Sequence, residues 1–315
     1  MNVIDKPKII IICGPTASGK TSVAIRLAQV FHGEIINADS IQIFKCMDIG
    51  SAKPDKADLA RVCHHMIDIV KPDEPFDAAI YAKAARDTIF KIINRKILPF
   101  VAGGAGLYIK ALERGMFITK SFNKDIRKQL EEKKESHGTP YLYKELCLRD
   151  PEAAKKIHAN DTYRILRALE VIKTTGTSIF HLQGEHKFSD EPFSVLKIGL
   201  RMDREVLYDR INRRVDDMIS GGLLDEVKRL ISMGYKPSLK SMQSLGYRHM
   251  CDFIENRISW DEAVRTMKRD TRRYAKRQGT WFKADSKIIW LRPDEHNKMN
   301  TLISEFVCEG QRLAY

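Results

Sequence analysis

The residues with the clearest chemical potential form a phosphate-binding pattern near the start of the chain. A glycine, four free positions and then Gly-Lys-Thr define a P-loop, and this pattern is met by Gly14, Pro15, Thr16, Ala17, Ser18, Gly19, Lys20 and Thr21. The flanking sequence predicts a buried strand at 8–13 and a helix from Ser22. At such a turn, backbone N–H groups and the helix dipole suit a di- or triphosphate. Lys20 would neutralise phosphate oxygens, and Thr21 would ligate phosphate-bound Mg²⁺. The alternative is a glycine turn without a ligand.

Three further candidates lie at strand ends and on a helix. Asp39 closes a predicted strand that begins at Glu34, and in open α/β sheets such strand ends gather around the ligand. The alternative for Asp39 is a helix N-cap or a loop carboxylate. The glycine-rich turn 103–106 follows another predicted strand and supplies either N–H donors or only a tight turn. Arg210 and Arg214 lie four apart on a predicted helix, so either is a candidate clamp on the phosphates.

Composition narrows the class of protein. The chain of 315 residues is 43% hydrophobic, which favours a core domain with an insertion or a second domain. Six scattered cysteines without a Cys-x-x-Cys pair favour a reducing compartment and argue against a zinc site or a disulfide framework. Apolar runs are too short to cross a bilayer, so a cytoplasmic protein with no membrane partner is expected. No heptad or long apolar stripe indicates an oligomer, which favours a monomer. The net charge of +13 makes nucleic acid the first partner to consider.

Strand and helix patterns alternate on both sides of a helical segment. We therefore predict an α/β fold whose core, residues 1–116 and 193–315, has a P-loop NTPase-like parallel sheet. A helical domain is inserted at 117–192, and its helical patterns cover residues 125–135, 141–149, 151–157 and 161–175. Within it, Arg164 and Arg167 lie three apart on one helical face, where a solvated face and a phosphate contact both remain open.

For two segments of the core, the sequence predicts the bounds of an element and the orientation of its side chains. A strand is predicted from His64 to Val70, and adjacent strand residues face opposite ways, so His64 and His65 are not expected to share one metal ion. A helix is predicted at 204–220, ending at Gly221-Gly222. Its buried side is expected to carry Leu207, Ile211, Met218 and Ile219.

The densest positive charge lies between Arg265 and Lys283. This segment holds eight basic residues and one acid, Asp270, with aromatic residues interleaved. On a helix, one face would carry Arg265, Arg269, Arg272 and Lys276, with Arg273 and Arg277 beside it. Because a solvated helix normally mixes charge signs, we expect this segment to bind a polyanion.

Seven stretches occur in a fixed order along the chain. They are Gly14-Pro-Thr-Ala-Ser-Gly-Lys-Thr21, Asp39-Ser-Ile-Gln42, Met47-Asp-Ile-Gly-Ser-Ala-Lys-Pro54, Ala102-Gly-Gly-Ala-Gly-Leu-Tyr108, Arg164-Ile-Leu-Arg-Ala-Leu-Glu-Val171, Gly246-Tyr-Arg248 and Lys276-Arg-Gln-Gly-Thr-Trp281. In this order they resemble one family, the tRNA dimethylallyltransferases of bacterial type, also called tRNA isopentenyl transferases. The resemblance covers nearly the whole chain.

The resemblance implies transfer of a dimethylallyl group from dimethylallyl diphosphate to tRNA. The acceptor would be the exocyclic amine of the adenine 3′ to the anticodon, in tRNAs that read codons beginning with U. It also implies Mg²⁺ as cofactor and the tRNA anticodon stem-loop as partner, with the base flipped into the site. By the same resemblance Asp39 is the general base, Arg214 clamps the diphosphate, and Thr16 lies near the reacting centre. The residues implied along the RNA path are Asp39, Ser40, Ile41, Gln42, Ala105, Arg127, Tyr163, Arg164, Ile165, Leu166, Arg167, Met242, Gln243, Gly246, Tyr247, Lys276, Arg277, Gln278, Trp281 and Lys283.

Two residues depart from the family pattern, and three other activities stay open. Ala105 stands where threonine is often found, so a hydroxyl contact is missing. Tyr163 stands where glutamine is usual, so an amide contact is replaced by stacking. The other activities are a P-loop kinase, an isopentenyltransferase acting on a free nucleotide, and an RNA-binding ATPase without transfer.

Overall fold

The structure is a computed structural model that describes residues 6–116, 124–186 and 190–308. Within these ranges it contains six strands and thirteen helices. The strands are β1 (Lys8–Cys13), β2 (Glu34–Ala38), β3 (His64–His65), β4 (Pro99–Gly103), β5 (Ser194–Leu200) and β6 (Ile288–Leu291). The helices are α1 (Lys20–Val30), α2 (Lys56–Arg61), α3 (Ala78–Asn94), α4 (Gly106–Arg114), α5 (Lys124–Arg149), α6 (Pro151–Lys156), α7 (Thr162–Thr175), α8 (Ile179–His186), α9 (Arg204–Ser220), α10 (Leu223–Ser232), α11 (Tyr247–Ile254), α12 (Trp260–Lys283) and α13 (His296–Cys308).

The described strands form one parallel sheet in the order β3-β2-β4-β1-β5-β6. The P-loop strand β1 is central, between β4 and β5, so the chain runs to one side of β1 first and to the other side later. This switch leaves a crevice at the carboxyl ends of the strands, where ligands of such sheets bind. The predicted α/β fold with a P-loop NTPase-like parallel core is confirmed.

The centre of the sheet explains the apolar run before the P-loop. The four residues Ile9–Ile12 of β1 are completely buried, because a parallel central strand is covered by helices on both faces. Helix α1 packs Ala24 and Leu27 into the same core as Ile198 of β5. The core therefore holds the start of α1 in place directly after β1.

Contacts divide the chain into two compact units. One unit comprises Met1–Glu113 and Glu191–Tyr315 and contains the sheet, and the other, Arg114–Asp190, is helical where it is described. The helical unit has its own core, which includes Leu130, Leu142, Leu146, Ile165 and Leu169. Its longest helix, α5, is interrupted at Gly138, whose φ of 78° lies outside the helical region. The domain start predicted at residue 117 lies outside the described residues.

Two local expectations were wrong. Only His64–His65 pairs with β2, because Met66 and Asp68 have φ of 62° and 54° and so cannot continue an extended strand. On α9 the buried side continues from Ile211 to Val215 one turn later, while Met218 and Ile219 are half-buried. No helix in the described ranges combines the length and the hydropathy that crossing a membrane requires.

Candidate active site

The P-loop lies between the end of β1 and the start of α1. Gly14 and Gly19 have φ of 140° and 90°, values that side chains with a Cβ rarely adopt. A Cβ on Gly14 would also lie 2.9 Å from the Leu200 carbonyl oxygen of β5. Lys20 folds back over the loop and donates a hydrogen bond to the Pro15 carbonyl oxygen at 2.7 Å. These two glycines therefore allow the loop to turn tightly between strand and helix.

The glycine turn after β4 forms a second wall of the same site. A Cβ on Gly103 would lie 2.0 Å from the Ala38 carbonyl oxygen, so only glycine allows β4 to approach the end of β2 this closely. The Ala105 N–H donates to that oxygen at 3.1 Å. This contact holds the glycine turn beside Asp39, the residue that follows β2.

Gln278 of α12 ties the two loops together. Its Oε1 accepts from the Thr16 N–H at 2.8 Å, and its Nε2 donates to the Gly104 carbonyl oxygen at 2.9 Å. The side chain is buried, and its amide oxygen and nitrogen both bond to protein. The structure thus gives Gln278 a positioning role between the two loops, and the RNA contact implied by resemblance stays a prediction.

A cavity opens between these loops, and most of the predicted chemical groups face it. Its lining includes Thr16, Lys20, Thr21, Asn37, Asp39, Gln42, His64, Gly104, Arg214, Tyr274 and Gln278. Of the two candidate arginines, Arg214 lines this cavity, whereas Arg210 lines a separate cleft with Arg201 and Arg292. Sequence reasoning missed Asn37, His64 and Tyr274, since no local pattern marks them as neighbours of a P-loop.

The cavity concentrates positive charge away from water. Burial, reinforced by the nearby Arg214 guanidinium, lowers the pKa of Lys20 to about 8, against an opposing effect of Asp39. Burial also lowers the pKa of Arg214, whose Nη1 donates to the Thr16 hydroxyl at 3.3 Å. Two half-buried cations thus face one carboxylate. Lowered pKa values of this origin indicate a site that gains stability when a further anion binds.

Asp39 has two roles in this geometry. Its Oδ1 accepts hydrogen bonds from the Ile41 and Gln42 N–H groups at 2.9 and 3.4 Å, as a turn-capping carboxylate would. The same side chain lines the cavity with Lys20 and Arg214. Burial and the charge of Asp39 raise the pKa of the Tyr274 phenol, which keeps that group protonated as a donor. The two alternatives for Asp39 therefore do not exclude each other.

A buried glutamate fixes the loop that forms another wall. Glu226 of α10 is 1% exposed, and it accepts from the N–H groups of Asp48, Ile49 and Gly50 at 3.0, 2.8 and 3.2 Å and from the Tyr247 hydroxyl at 2.7 Å. Further along this loop, the carbonyl oxygens of residues 51 and 52 accept from the Gln42 amide at 3.1 and 3.0 Å. Sequence analysis did not identify Glu226, because it is 178 residues from its first partner.

The residues implied along the RNA path fall into two groups. Several are interior: Gln42, Ile165, Leu166, Met242, Gly246, Tyr247 and Gln278 are buried, and of these Gln42 and Gln278 line the cavity. The others have half-buried or exposed positions: Asp39, Ser40, Ile41, Ala105, Arg127, Tyr163, Arg164, Arg167, Gln243, Lys276, Arg277, Trp281 and Lys283. In the helical unit, Arg127 and Arg167 both pair with the buried Glu170, at 3.8 and 3.1 Å.

The exposed basic face of α12 differs from the expected one. Arg272 donates to Asn212 of α9 at 2.6 Å, and Arg269 pairs with Asp270 at 2.9 Å, so both are engaged by protein. A shallow cleft is instead lined by Arg273, Lys276, Arg277, Thr280 and Trp281. We call these five residues the α12 surface. It combines three cations with an indole that is 45% exposed.

Fold and site together define an α/β protein with a cavity at its P-loop. The sequence profile of the IPP transferase family matches residues 42–285. The chain is 47% identical over 307 residues to the tRNA dimethylallyltransferase of Desulfosudis oleivorans, covering 97% of this chain and 98% of the relative. The chain belongs to the IPP transferase family, as the seven stretches predicted.

Solved structures agree with this assignment. The full-length tRNA isopentenylpyrophosphate transferase of Bacillus halodurans has a TM-score of 0.73 at 38% identity, covering 98% of this chain and 99% of that one. A eukaryotic dimethylallyltransferase acting on tRNA has a TM-score of 0.77 at 28% identity, covering 96% of this chain and 78% of that one.

Proposed function

We propose that this protein transfers a dimethylallyl group from dimethylallyl diphosphate to tRNA, at the exocyclic amine of the adenine 3′ to the anticodon. The observation that carries the proposal is the convergence of Lys20, Arg214 and Asp39 on one cavity at the P-loop. A reaction that releases diphosphate and removes a proton from an amine needs this combination of two cations and one carboxylate.

The leaving diphosphate binds to the P-loop. Backbone N–H groups of the loop and the start of α1 favour its phosphates, and Lys20 and Arg214 withdraw charge as the carbon–oxygen bond breaks. Thr21 places a hydroxyl oxygen in the same cavity, which fits the oxygen ligands that Mg²⁺ prefers. When bound there, Mg²⁺ would share the charge of the leaving group.

Asp39 takes the proton of the acceptor amine. As the new nitrogen–carbon bond forms, the amine loses one proton to the carboxylate, and the electron pair of the broken bond leaves with the diphosphate. Oδ1 of Asp39 is held by the Ile41 N–H, which fixes the orientation of the carboxylate. The adenine must be turned out of the anticodon loop to reach this group, at a cost of roughly a few kcal/mol.

Contacts to the RNA backbone offset that cost. The α12 surface supplies three cations for phosphates and the Trp281 indole for stacking. In the helical unit, Arg164 and Tyr163 are 67% and 54% exposed and suit the same task. Lys283 and Gln243 are also exposed and remain candidates for this path.

The decisive assay offers the protein labelled dimethylallyl diphosphate and one of three acceptors. We expect label on tRNA and none on AMP or ATP. A tRNA in which the adenine 3′ to the anticodon is replaced by guanine is the matched control and should stay unlabelled. Label on AMP or ATP, or phosphate transfer from ATP without prenylation, would contradict the proposal.

A further inference from the structure

Three side chains of types that bind metal ions lie close together near one edge of the sheet, on β2 and β3 and just before β3. The group consists of Glu34, Cys63 and His65, and their donor atoms all lie within 4.8 Å of one another. In the part of the chain that the structure describes, no other three His, Cys, Asp or Glu side chains meet in this way. The proposed transfer reaction assigns no role to these residues.

Strand geometry explains why the three converge. The Ile35 N–H donates to the Cys63 carbonyl oxygen at 2.9 Å, which extends the parallel pairing of β2 one residue before β3. Cys63 and His65 are two residues apart, so both project from the same face as Glu34. His64, between them, lines the cavity at the P-loop instead. The expectation that the two adjacent histidines cannot share one ion therefore stands, and the partners of His65 are Cys63 and Glu34.

We propose that Glu34, Cys63 and His65 bind a divalent cation of the zinc class. Zinc is bound by thiolate, imidazole and carboxylate, with Zn–S about 2.3 Å and Zn–N about 2.0 Å, so tetrahedral ligands lie about 3.5 Å apart. The Cys63 Sγ and His65 Nε2 are 3.5 Å apart. The His65 Nε2 and Glu34 Oε2 are 2.7 Å apart, and this distance must widen by about 0.6 Å to admit the ion. Solvent would supply the fourth ligand.

Arg95 supports the carboxylate in a way that suits a metal ligand. Its guanidinium donates to both Glu34 oxygens, at 2.8 and 2.6 Å. Although burial acts to raise the pKa of Glu34, the bonds from Arg95 and His65 outweigh it and hold the pKa below its usual range. If Oε2 turns to the metal, the bond to Oε1 remains and orients the ligand, as outer hydrogen bonds do in metal sites.

The thiol is accessible and must lose its proton to bind. Cys63 is exposed, so an ion can reach Sγ from solvent. Partial burial and the charge of Glu34 raise the pKa of this thiol. An ion that binds the thiolate therefore displaces a proton, which solvent takes up. The same side chains without a metal form an ion-pair network, and the experiment must separate these two states.

Cobalt(II) is the probe that separates them. The full-length protein, stripped of metal by a chelator, is titrated with Co²⁺, and absorbance is recorded through the near-ultraviolet and visible ranges. We expect one equivalent of Co²⁺ to give a thiolate-to-cobalt charge-transfer band and the visible bands of a tetrahedral ion. Addition of Zn²⁺ should bleach both, because Zn²⁺ binds such sites more tightly than Co²⁺.

Three variants locate the ion. Cys63→Ser should lose the thiolate band, and His65→Gln should weaken Zn²⁺ binding at least about tenfold in competition with a chromophoric chelator. Cys147→Ser removes another exposed thiol, on α5, and should leave both readouts unchanged. Absence of a thiolate band in the unmodified protein, or the same band in Cys63→Ser, would overturn the proposal. Because the readout is metal binding, it stands independently of whether the transfer reaction is correct.

Discussion

The cavity at the P-loop and the α12 surface are both rich in lysine and arginine, but they hold these charges differently. In the cavity Lys20 and Arg214 are largely withdrawn from water, and burial lowers the pKa of each. On the α12 surface Arg273 and Arg277 are exposed beside Trp281. A cation that is withdrawn from water and held in place stabilises the charge that develops on a substrate during a reaction. An exposed cation instead adds binding affinity, which dissolved salt weakens by screening. The same residue types therefore serve chemistry in one region and binding in the other.

The largest effect is expected at the carboxylate of the cavity. Asp39→Asn keeps an oxygen that can accept from the Ile41 N–H but removes the base, so the rate of transfer should fall about 10²- to 10⁴-fold. Single-turnover assays with saturating tRNA measure this rate, and tRNA affinity should be unchanged. Asp73→Asn, at an exposed loop carboxylate, is the control. A wild-type rate of transfer in Asp39→Asn would contradict the assignment of Asp39 as the general base.

The clamp on the leaving group comes next. Arg214→Gln should lower the single-turnover rate about 10²- to 10³-fold, the effect of losing one donor to a developing negative charge. Arg210→Gln is a close control, since Arg210 lies one turn earlier on α9 and lines a different cleft. Equal losses in the two variants would contradict the assignment of the clamp to Arg214.

The protonation of Lys20 predicts a pH dependence confined to the cavity. Only the protonated amine neutralises phosphate, and its pKa in the free protein is about 8. The ratio kcat/KM for dimethylallyl diphosphate should therefore be level up to about pH 8 and then fall, by up to about tenfold per pH unit. In Lys20→Arg the falling limb should move to higher pH. An unchanged limb in that variant would assign the ionisation to another group.

On the α12 surface the expected loss is in affinity. Arg273→Gln with Arg277→Gln should weaken tRNA binding several-fold and reduce the slope of log affinity against log salt concentration by about one for each lost phosphate contact. Filter binding over a range of salt concentrations measures the slope. Arg265→Gln is the control, because Arg265 already pairs with Glu262 at 2.7 Å. If the slope in the double variant equals that of the control, the α12 surface does not contact the RNA phosphates.

The smallest effect on transfer is expected at Glu226, which does not line the cavity at the P-loop. Glu226→Gln places an amide group against backbone N–H donors, so the free energy of unfolding should fall by about 1–3 kcal/mol. The rate of transfer should fall less than about tenfold, because the loop 48–54 is loosened rather than lost. Urea unfolding measures the first quantity, and Asp225→Asn, at the exposed neighbour, is the control. Stability equal to the control would deny Glu226 its positioning role.

Local signals predicted much of the fold. The expected bounds of α9, Arg204–Ser220, agree with the structure, because a helical period marks them directly. Asp77 caps α3 through two N–H groups, as expected of a helix-starting aspartate. The P-loop was equally evident, since its function resides in eight consecutive residues.

The rest of the site depends on contacts between distant residues. The side chain of Gln278 accepts a hydrogen bond from the Thr16 N–H, although the two residues are 262 positions apart. No periodicity or motif spacing in the sequence predicts such a pairing. The error on α12 has the same origin: a helical wheel placed Arg272 on the exposed face, but Asn212 of α9 engages it. A partner on another helix decides which charges stay free to bind a ligand, and a single helix cannot reveal that partner.

The most direct test of the central claim is a crystal structure with an anticodon stem-loop and an unreactive thiolo analogue of dimethylallyl diphosphate. The account predicts both phosphates at the P-loop, in contact with Lys20 and Arg214, and the exocyclic nitrogen of the flipped adenine about 3 Å from an Asp39 carboxylate oxygen. A diphosphate bound outside this cavity, or an adenine amine facing a group other than Asp39, would contradict it.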